Sequence, residues 1–479
     1  MLRRTKIVAT IGPAVDSADA LERMIAEGVD IIRANFSHGS AAEHKKCIQR
    51  VRDCAAKLGR IVGILVDLQG PKIRIARFKN DKVILEDGAT FILDADFSPY
   101  DGTQEMVGID YKQLPQDLKI DNILLLDDGR IQLIVKKIVG SQIVCNVIAG
   151  GELSNHKGIN LKGGGLTADA ITQKDRDDLK TAAELGVDYI ALSFPRNAED
   201  ILRARALLDE ANSKAGIIAK IERTEAVAAI DEIIDVSDGV MVARGDLAVE
   251  IGDAEVPAVQ KHIIDRARAA NKPVITATQM MESMIHSTIP TRAEVSDVAN
   301  AVLDGTDAVM LSAETAVGDH PDKVVAAVSR ICLGVEKHPQ TQVSRHRVDR
   351  CFMRVDEAIA MAAMYVANHM DIRAIIALTE SGATPLWMSR IHSGIPIYGM
   401  SRHALTRGKM ALYRDVYPID FDVTPLERQQ VNRAAVAELQ KRGIVKKGDL
   451  VALTKGDDIG IHGGTNVLKI LEVGNVDLV

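Results

Sequence analysis

An ammonium and a carboxylate stand two residues apart in the apolar run GIIAKIE (216–222), as Lys220 and Glu222. Such a run predicts a buried strand, and a spacing of two turns both side chains to the same side. Charges placed there are costly unless each binds something. Two readings follow from the residues alone. One is a structural ion pair. The other is a carboxylate on a divalent metal beside a lysine that faces a phosphate or enolate oxygen. The next strand-like run, GVMVAR (239–244), opens into Gly245 and Asp246. Asp246 supplies a second carboxylate, which suits Mg2+ because that ion takes few protein ligands and keeps room for water and substrate. No His/Cys cluster accompanies the pair, which argues against zinc. The Arg244-Gly245-Asp246 turn also offers backbone N–H groups, unobstructed at glycine, that can hold a carboxylate.

Further polar residues fall at the ends of other apolar runs. RANFSHGS (33–40) places Arg33 and Asn35 on one face. Arg33 suits a phosphoryl group. Asn35 and Ser37 are neutral oxygen ligands for a cation, and Asp67, which ends VGILVD (62–67), is a charged one. Thr278 ends PVITAT (273–278). It can relay a proton or bind a carboxylate, or its hydroxyl can simply be satisfied by a neighbouring strand. Ser312 and Glu314 close AVMLSAE (308–314). No Ser-His-Asp order supports acyl transfer. The set suits phosphoryl transfer or enolate chemistry on a small anionic substrate.

These residues need a scaffold that gathers strand ends. Eight strand-like runs alternate with helical segments such as DALERMIAEG and KDRDDLKTAAELG: 6–10, 30–36, 62–67, 188–194, 216–222, 239–244, 273–278 and 308–314. Apolar strands alternating with amphipathic helices predict a covered parallel sheet. Eight units predict an α/β fold with a (β/α)8 TIM barrel, whose strand C-termini converge on one mouth; a doubly wound open sheet is the alternative. The chemistry-bearing residues lie at the C-terminal ends of many strands, which favours the barrel. From Pro71 the pattern changes. KVILEDG, NILLLDDG, RIQLIVKKIVG and QIVCNVIAGG are short, β-branched and separated by turn residues, and predict an inserted small β-barrel lid. HPQTQVSRHRVDR (338–350) reads as a linker, and the strands and helices beyond it as a C-terminal α/β regulatory domain. The expected limits are 1–70 with 166–340 for the barrel, 71–165 for the lid and 350–479 for the last domain.

Composition excludes several classes. The 479 residues carry 59 basic and 66 acidic side chains, a net charge of −7, with no basic stripe of the kind nucleic-acid binders show. The N-terminal MLRRTKIVATIG lacks the long apolar centre of a signal peptide, and no stretch approaches a membrane span. Five cysteines without a CxxC pair predict a reducing, cytoplasmic setting with the thiols as small core residues.

At these residues the chain resembles the pyruvate kinase family. TIGPA, RANFSHG, DLQGPKIR, IIAKIERTEAV, MVARGDL, ITATQMMESM, PTRAEVSDVANAVLDGTDAVMLSAET and TESG match family motifs in family order along nearly the whole chain. The resemblance implies phosphoryl transfer from phosphoenolpyruvate to ADP, giving pyruvate and ATP, the final step of glycolysis. It implies Mg2+, or Mn2+ in its place, on Glu222 and Asp246, with Lys220 stabilising the moving phosphoryl group and the enolate. The amides of Gly245 and Asp246 would hold the substrate carboxylate, with Thr278 at that end and Ser312 near the proton route. Arg33 and Arg74 would grip phosphates, and Asn35, His38, Arg74 and Lys157 would contact the nucleotide. Asn35, Ser37 and Asp67 match the ligands of K+. Potassium-requiring members carry threonine after that aspartate and glutamate after Gly-Pro, where this chain has Leu68 and Lys72. Either the Lys72 ammonium substitutes for K+, or Lys72 faces solvent and K+ still binds. TESGATP (379–385) resembles an effector phosphate loop, with Thr379, Ser381, Gly382 and Thr384 as donors. The later loop TKGDDIGIHGGTN lacks the arginine that takes a second phosphate in some members, which points to a sugar monophosphate or AMP-like effector. The family is usually homotetrameric. A lyase acting on phosphoenolpyruvate without ADP is the rival chemistry for the same barrel.

Overall fold

Short runs rich in Ile, Val and Ala set the strands. The computed structural model describes residues 2–342, 351–457 and 460–475. It begins with β1 (Lys6–Thr10), β2 (Ile31–Asn35) and β3 (Gly63–Asp67). Eight further strands follow: β4 (Lys82–Leu85), β5 (Thr90–Asp94), β6 (Met106–Gly108), β7 (Ile123–Leu126), β8 (Ile131–Val139), β9 (Gln142–Ala149), β10 (Gly151–Ser154) and β11 (Ile159–Leu161). The chain then returns to β12 (Tyr189–Leu192), β13 (Gly216–Ile221), β14 (Gly239–Ala243), β15 (Val274–Ala277) and β16 (Ala308–Leu311).

β1, β16, β15, β14, β13, β12, β3 and β2 close into one parallel barrel in that order. Closure rules out the open sheet. It is made where Lys6 registers with Ala308 and, across the excursion of β4 to β11, where Asp67 registers with Ala191. Helices between the strands start where the sequence provides caps. Ser40 with Glu43, Thr172 with Asp175 and Thr291 with Glu294 form reciprocal capping boxes, which satisfy helix N–H groups that would otherwise lack partners.

The strands of the excursion form a six-stranded sheet, β11-β7-β8-β9-β5-β6, and a pair, β10-β4. Sheet and pair enclose one apolar core that includes Leu85, Phe91, Val107, Leu133 and Leu153. β5, β6, β10 and β11 are not among the runs that stood out in the sequence.

Beyond residue 350 come β17 (Ile372–Leu378), β18 (Ile397–Ser401), β19 (Val416–Asp420), β20 (Leu450–Gly456) and β21 (Thr465–Glu472), ordered β19-β18-β17-β20-β21. Most of the linker read from the sequence, residues 343–350, lies outside the described residues. The apolar interior of the barrel, with Val8, Leu65, Ile218 and Met241, is continuous with a core built from Ala363, Ile375, Met410 and Leu412. The C-terminal sheet and its helices thus seal the end of the barrel opposite its mouth. Buried polar contacts fix this seal. Arg390 forks onto both carboxylate oxygens of Asp307, just before β16. Arg4 donates to the carbonyls of Thr341 at 2.6 Å and Ser393 at 2.7 Å.

Three of the cysteines, Cys54, Cys145 and Cys332, are buried as expected. Cys47 is half-buried on a helix surface and Cys351 is exposed, so the core reading does not extend to them. No helix among the described residues is long and apolar enough to cross a membrane.

The seal carries a titratable group. Asp188, just before β12, accepts the Ile64 N–H at 2.7 Å and packs so tightly on Gly408 that a Cβ there would lie 2.0 Å from its oxygen. Burial pushes this carboxyl up to about 7, against the pull of the Ile64 N–H and of Arg52 and Lys409. The folded chain therefore holds the proton longer than the unfolded chain, whose aspartate ionises near 3.8. Between those values the unfolded state binds fewer protons, so this group removes stability as pH rises. Thermal melts of the parent and of Asp188→Asn should show the parent losing ground to the variant from about pH 4 to about pH 7 and levelling off above. A difference that stays flat over that range would show that Asp188 ionises freely.

Candidate active site

Three strands bring charge to the centre of the mouth. β13 delivers Lys220 and Glu222 side by side, as a spacing of two requires. The Lys220 ammonium lies 2.9 Å from Glu222 Oε1 and 3.3 Å from Asp67 Oδ1, at the end of β3. Its third contact is the Ser193 hydroxyl, 2.7 Å away. From β2, Arg33 Nε donates to Asp67 Oδ2 at 2.7 Å, and a terminal nitrogen reaches Thr10 Oγ1 at 3.0 Å. All of these acidic groups and the lysine are buried.

Burial shifts their titration in different directions. It would lower Lys220, but Asp67 and then Glu222 outweigh it and hold the ammonium above its ordinary range. Asp67 is held low by Lys220 and Arg33 despite burial. Glu222 shares its one close cation with Asp67. Burial pushes it up to about 7, against Lys220 and with help from the nearby Asp246 charge. Glu222 and Asp246 are two carboxylates close enough for each to feel the other's charge, which is the donor set a divalent oxygen-seeking cation fits. Among the described residues no group of three or more His, Cys, Asp or Glu side chains gathers into a metal site. An ion here would take two carboxylates and draw its other ligands from substrate and water, as Mg2+ does.

Asp246 opens the helix Arg244–Ile251 directly after β14. Lys72 reaches it from the start of the excursion, with Nζ 3.0 Å from Asp246 Oδ1. Lys72 thus faces the mouth, and its partner is Asp246 rather than Asp67. Between the inserted strands and the barrel lies a cleft of about 760 Å3, lined in part by Lys72, Asp128, Lys162, Asp246 and Gln279.

Thr278 follows β15 in a left-handed conformation, φ 70°, and Gln279 repeats it at 52°. Two such non-glycine residues in succession are strained and need external support. Arg244 gives it, donating to the Thr278 carbonyl at 2.7 Å and the Ala277 carbonyl at 3.2 Å while pairing with Asp297 at 2.7 and 2.8 Å. The Thr278 hydroxyl accepts the Gly245 N–H at 2.9 Å and donates to the Ala277 carbonyl at 2.6 Å. A Cβ on Gly245 would meet Thr278 at 3.7 Å, an ordinary van der Waals contact, so the two turns lie directly against each other. The Ser312 amide donates to Glu314 at 2.6 Å, and Glu314 also takes the Met281 N–H at 3.0 Å. Glu314 therefore staples the loops after β15 and β16 to each other.

Other expected contacts lie further out. Asn35 registers with Asp67 across β2 and β3, and its side-chain oxygen accepts the Ser37 N–H at 3.1 Å. His38 is exposed. Arg74 donates to the His156 carbonyl at 2.8 Å, and Lys157 pairs with Asp127 at 2.6 Å, so both are held within the inserted module. In the C-terminal domain the Thr379 hydroxyl accepts the Gly382 N–H at 2.9 Å and Ser381 the Ala383 N–H at 3.4 Å. Thr384 is buried and bonded to the Thr465 hydroxyl at 2.8 Å. These four residues are far along the chain from the mouth and form part of a separate cavity's surroundings. Sequence reasoning missed Ser193 and the Phe194 amide, which donates to Glu222 Oε2 at 2.8 Å. The signal was present, since Ser193 is the polar residue at the end of the fourth strand-like run.

Comparison with known proteins agrees with this geometry. The model of the pyruvate kinase barrel domain matches residues 2–325, and that of the pyruvate kinase alpha/beta domain matches residues 357–471. The chain belongs to the pyruvate kinase family. It is 56% identical to pyruvate kinase II of Salmonella typhimurium over 476 residues, covering 98% of this chain and 99% of that protein. It is 54% identical to a pyruvate kinase of Buchnera aphidicola from Acyrthosiphon pisum and 53% identical to that of Haemophilus influenzae, over the same shares.

The Arg244 fork gives a direct test of the supported turn. Lysine keeps the charge but loses the planar set of donors. Arg244→Lys should lower the turnover of pyruvate formation by about tenfold to a hundredfold, because Thr278 and the Gly245 amide lose their fixed geometry. Steady-state kinetics beside a thermal melt check this, and turnover equal to the parent's would refute it.

Proposed function

We propose that this pyruvate kinase works with Mg2+, moving the phosphoryl group of phosphoenolpyruvate to ADP as the last step of glycolysis in the cytoplasm. The observation that carries the reading is the buried Lys220 ammonium against Glu222, with the nearby Asp246 lining a cleft roomy enough for a nucleotide. Glu222 and Asp246 would hold the ion, with Mn2+ able to replace it; bound there, it supplies charge neutralisation for the phosphoryl and enolate oxygens. The chain's own residues do the rest by position and charge. Gly245 and Asp246 amides bind the substrate carboxylate, and Thr278 packs at that end. Arg33 and Lys220 face the phosphoryl group. The bond from phosphorus to the enol oxygen breaks as one to the terminal ADP oxygen forms, and Lys220 donates to the oxygen left negative. The enolate carbon then takes a proton along a route past Thr278 and Ser312. Asn35 and His38 on the barrel, with Arg74 and Lys157 on the inserted module, contact ADP when the module covers the mouth. This division gives a barrel at 1–70 and 166–340, a lid at 71–165 and a regulatory domain at 350–479.

Lys72 replaces the monovalent cation in this reading, and its 3.0 Å contact with Asp246 supports a built-in charge at the mouth. The alternative leaves K+ on Asn35, Ser37 and Asp67, the last of which already has Arg33 and Lys220 as partners. The C-terminal cavity takes a sugar monophosphate or an AMP-like effector on Thr379, Ser381, Gly382 and Thr384. Of its three lining cations, Arg402 pairs with Glu380 at 3.3 Å and Arg428 with Asp457 at 2.6 Å, and Lys455 is the third, which supports one phosphate rather than two. Asp458 and Ile459 of the later loop lie outside the described residues. The working assembly is a homotetramer.

Coupled pyruvate assays test the reading. Pyruvate should form only with ADP, stop on chelation of divalent metal, and proceed in tetraalkylammonium buffer with no many-fold gain from K+. Pyruvate formed without ADP would favour the lyase, and a large K+ gain would remove the role given to Lys72. Lys220→Met should cost at least about a hundredfold in turnover, the scale of losing one preorganised charge, while calorimetry still shows binding of Mg2+ and phosphoenolpyruvate.

A further inference from the structure

Ser193 and Phe194 form the turn that leaves β12, and together they hold both charged residues of β13. Ser193 is only 1% exposed. Its hydroxyl lies 2.7 Å from the Leu68 carbonyl and 2.7 Å from Lys220 Nζ. A carbonyl can only accept and an ammonium can only donate. The single hydroxyl proton is therefore committed to Leu68, and the oxygen lone pairs face the lysine. With Glu222 and Asp67, this gives each of the three ammonium protons one acceptor. Two of those acceptors are charged and subtract from the lysine's field. The third is neutral, so it fixes direction without cancelling charge.

The same turn serves Glu222. The Phe194 amide donates to Glu222 Oε2 at 2.8 Å, and Phe194 adopts φ 56° to present it. A left-handed phenylalanine persists only where its surroundings over-determine it. Gly70, at the exit toward the inserted module, supplies part of that constraint. A Cβ there would lie 2.8 Å from the Ser193 Cβ and 3.1 Å from the Phe194 ring, and Gly70 is itself left-handed at φ 66°. The hinge of the module therefore packs directly on the turn that aims Lys220.

We propose that Ser193 is a positioning residue for phosphoryl transfer, acting through Lys220: it anchors one N–H on a neutral acceptor, so that the ammonium stays in place while an N–H now held by Glu222 or Asp67 turns to the reacting oxygen. The inference rests on the phosphoryl-transfer reading above. In the full-length enzyme, Ser193→Ala should lower turnover by about tenfold to a hundredfold, as small misplacements of a reacting group do. The KM for ADP should stay close to the parent's, while the melting temperature falls modestly, because the Leu68 carbonyl and one Lys220 N–H lose a buried partner. Ser193→Cys, nearly the same size but a weak acceptor, should lose turnover equally, and it carries the test if the alanine variant fails to fold. Ser193→Thr, which keeps the hydroxyl, should recover most of the loss. Because the effect runs through Lys220, adding Ser193→Ala to Lys220→Met should cost less than twofold more. An additive loss in the double variant, or an active parent with an unaffected Ser193→Ala, overturns the inference alone. A parent that makes no pyruvate from phosphoenolpyruvate and ADP overturns the reading beneath it and the inference with it.

Discussion

A buried ammonium survives only where acceptors surround it, and Lys220 imposes that condition on the whole mouth of the barrel. Desolvation alone would strip its proton. Asp67 and Glu222 reverse the outcome, but they must come from different strands, because a spacing of two on β13 supplies only one of them. Asp67 therefore has to stand at the end of β3, which places β12 between it and Lys220. β12 is correspondingly made to pass close by, with Ser193 filling the gap between the two charges. Asp67 in turn needs Arg33 from β2. Four strands of the barrel are thus tied by one network whose every member is costly when left alone.

The opposite end of the barrel obeys a different rule. There the interior is apolar and runs without a break into the C-terminal domain. Its charged groups are tied by short buried contacts, with Arg390 matched to both oxygens of Asp307 and Arg4 donating to carbonyls. Asp307 also accepts the Val274 N–H at 3.0 Å and the Arg414 N–H at 3.0 Å. One carboxylate therefore joins the starts of β15 and β16 to the C-terminal domain, while the far ends of those strands carry Thr278 and Ser312. Rigidity at the sealed end and the clustered charge at the mouth are complementary. The first fixes the strand directions that the second requires.

Much of this was legible in the sequence, for reasons that differ by element. The eight barrel strands were visible because apolar runs alternate with capped amphipathic helices, and the barrel was favoured over an open sheet by polar residues at so many strand ends. Lys220, Glu222, Asp67, Arg33 and Asp246 were visible because charge in an apolar run is expensive and therefore conspicuous. Ser193 was not, since a serine at a strand end costs little and draws no notice. Short strands such as Met106–Gly108 carry too few residues for any period to show. The partner of Lys72 could not be read at all. It depends on how the inserted module docks, and no local pattern links position 72 to position 246. The same holds for Arg74 and Lys157, whose present partners lie within the module.

The placement of Lys72 sharpens the electrostatics of the mouth. Arg33, Lys72 and Lys220 face Asp67, Glu222 and Asp246, so the charges balance before anything binds. On the reading proposed above, a divalent ion held by Glu222 and Asp246 would upset that balance and would share Asp246 with Lys72. Two cations on one carboxylate repel across a few ångströms, so the arrangement is tolerable only when further negative charge arrives. A substrate bearing both a phosphate and a carboxylate supplies it. Lys72 sits two residues beyond Gly70, where the chain leaves the barrel for the inserted module and where that glycine packs on the Ser193–Phe194 turn. The residue most disturbed by the ion is therefore also the one nearest the hinge. One side chain therefore joins the base of the inserted strands to the carboxylate that opens the helix after β14.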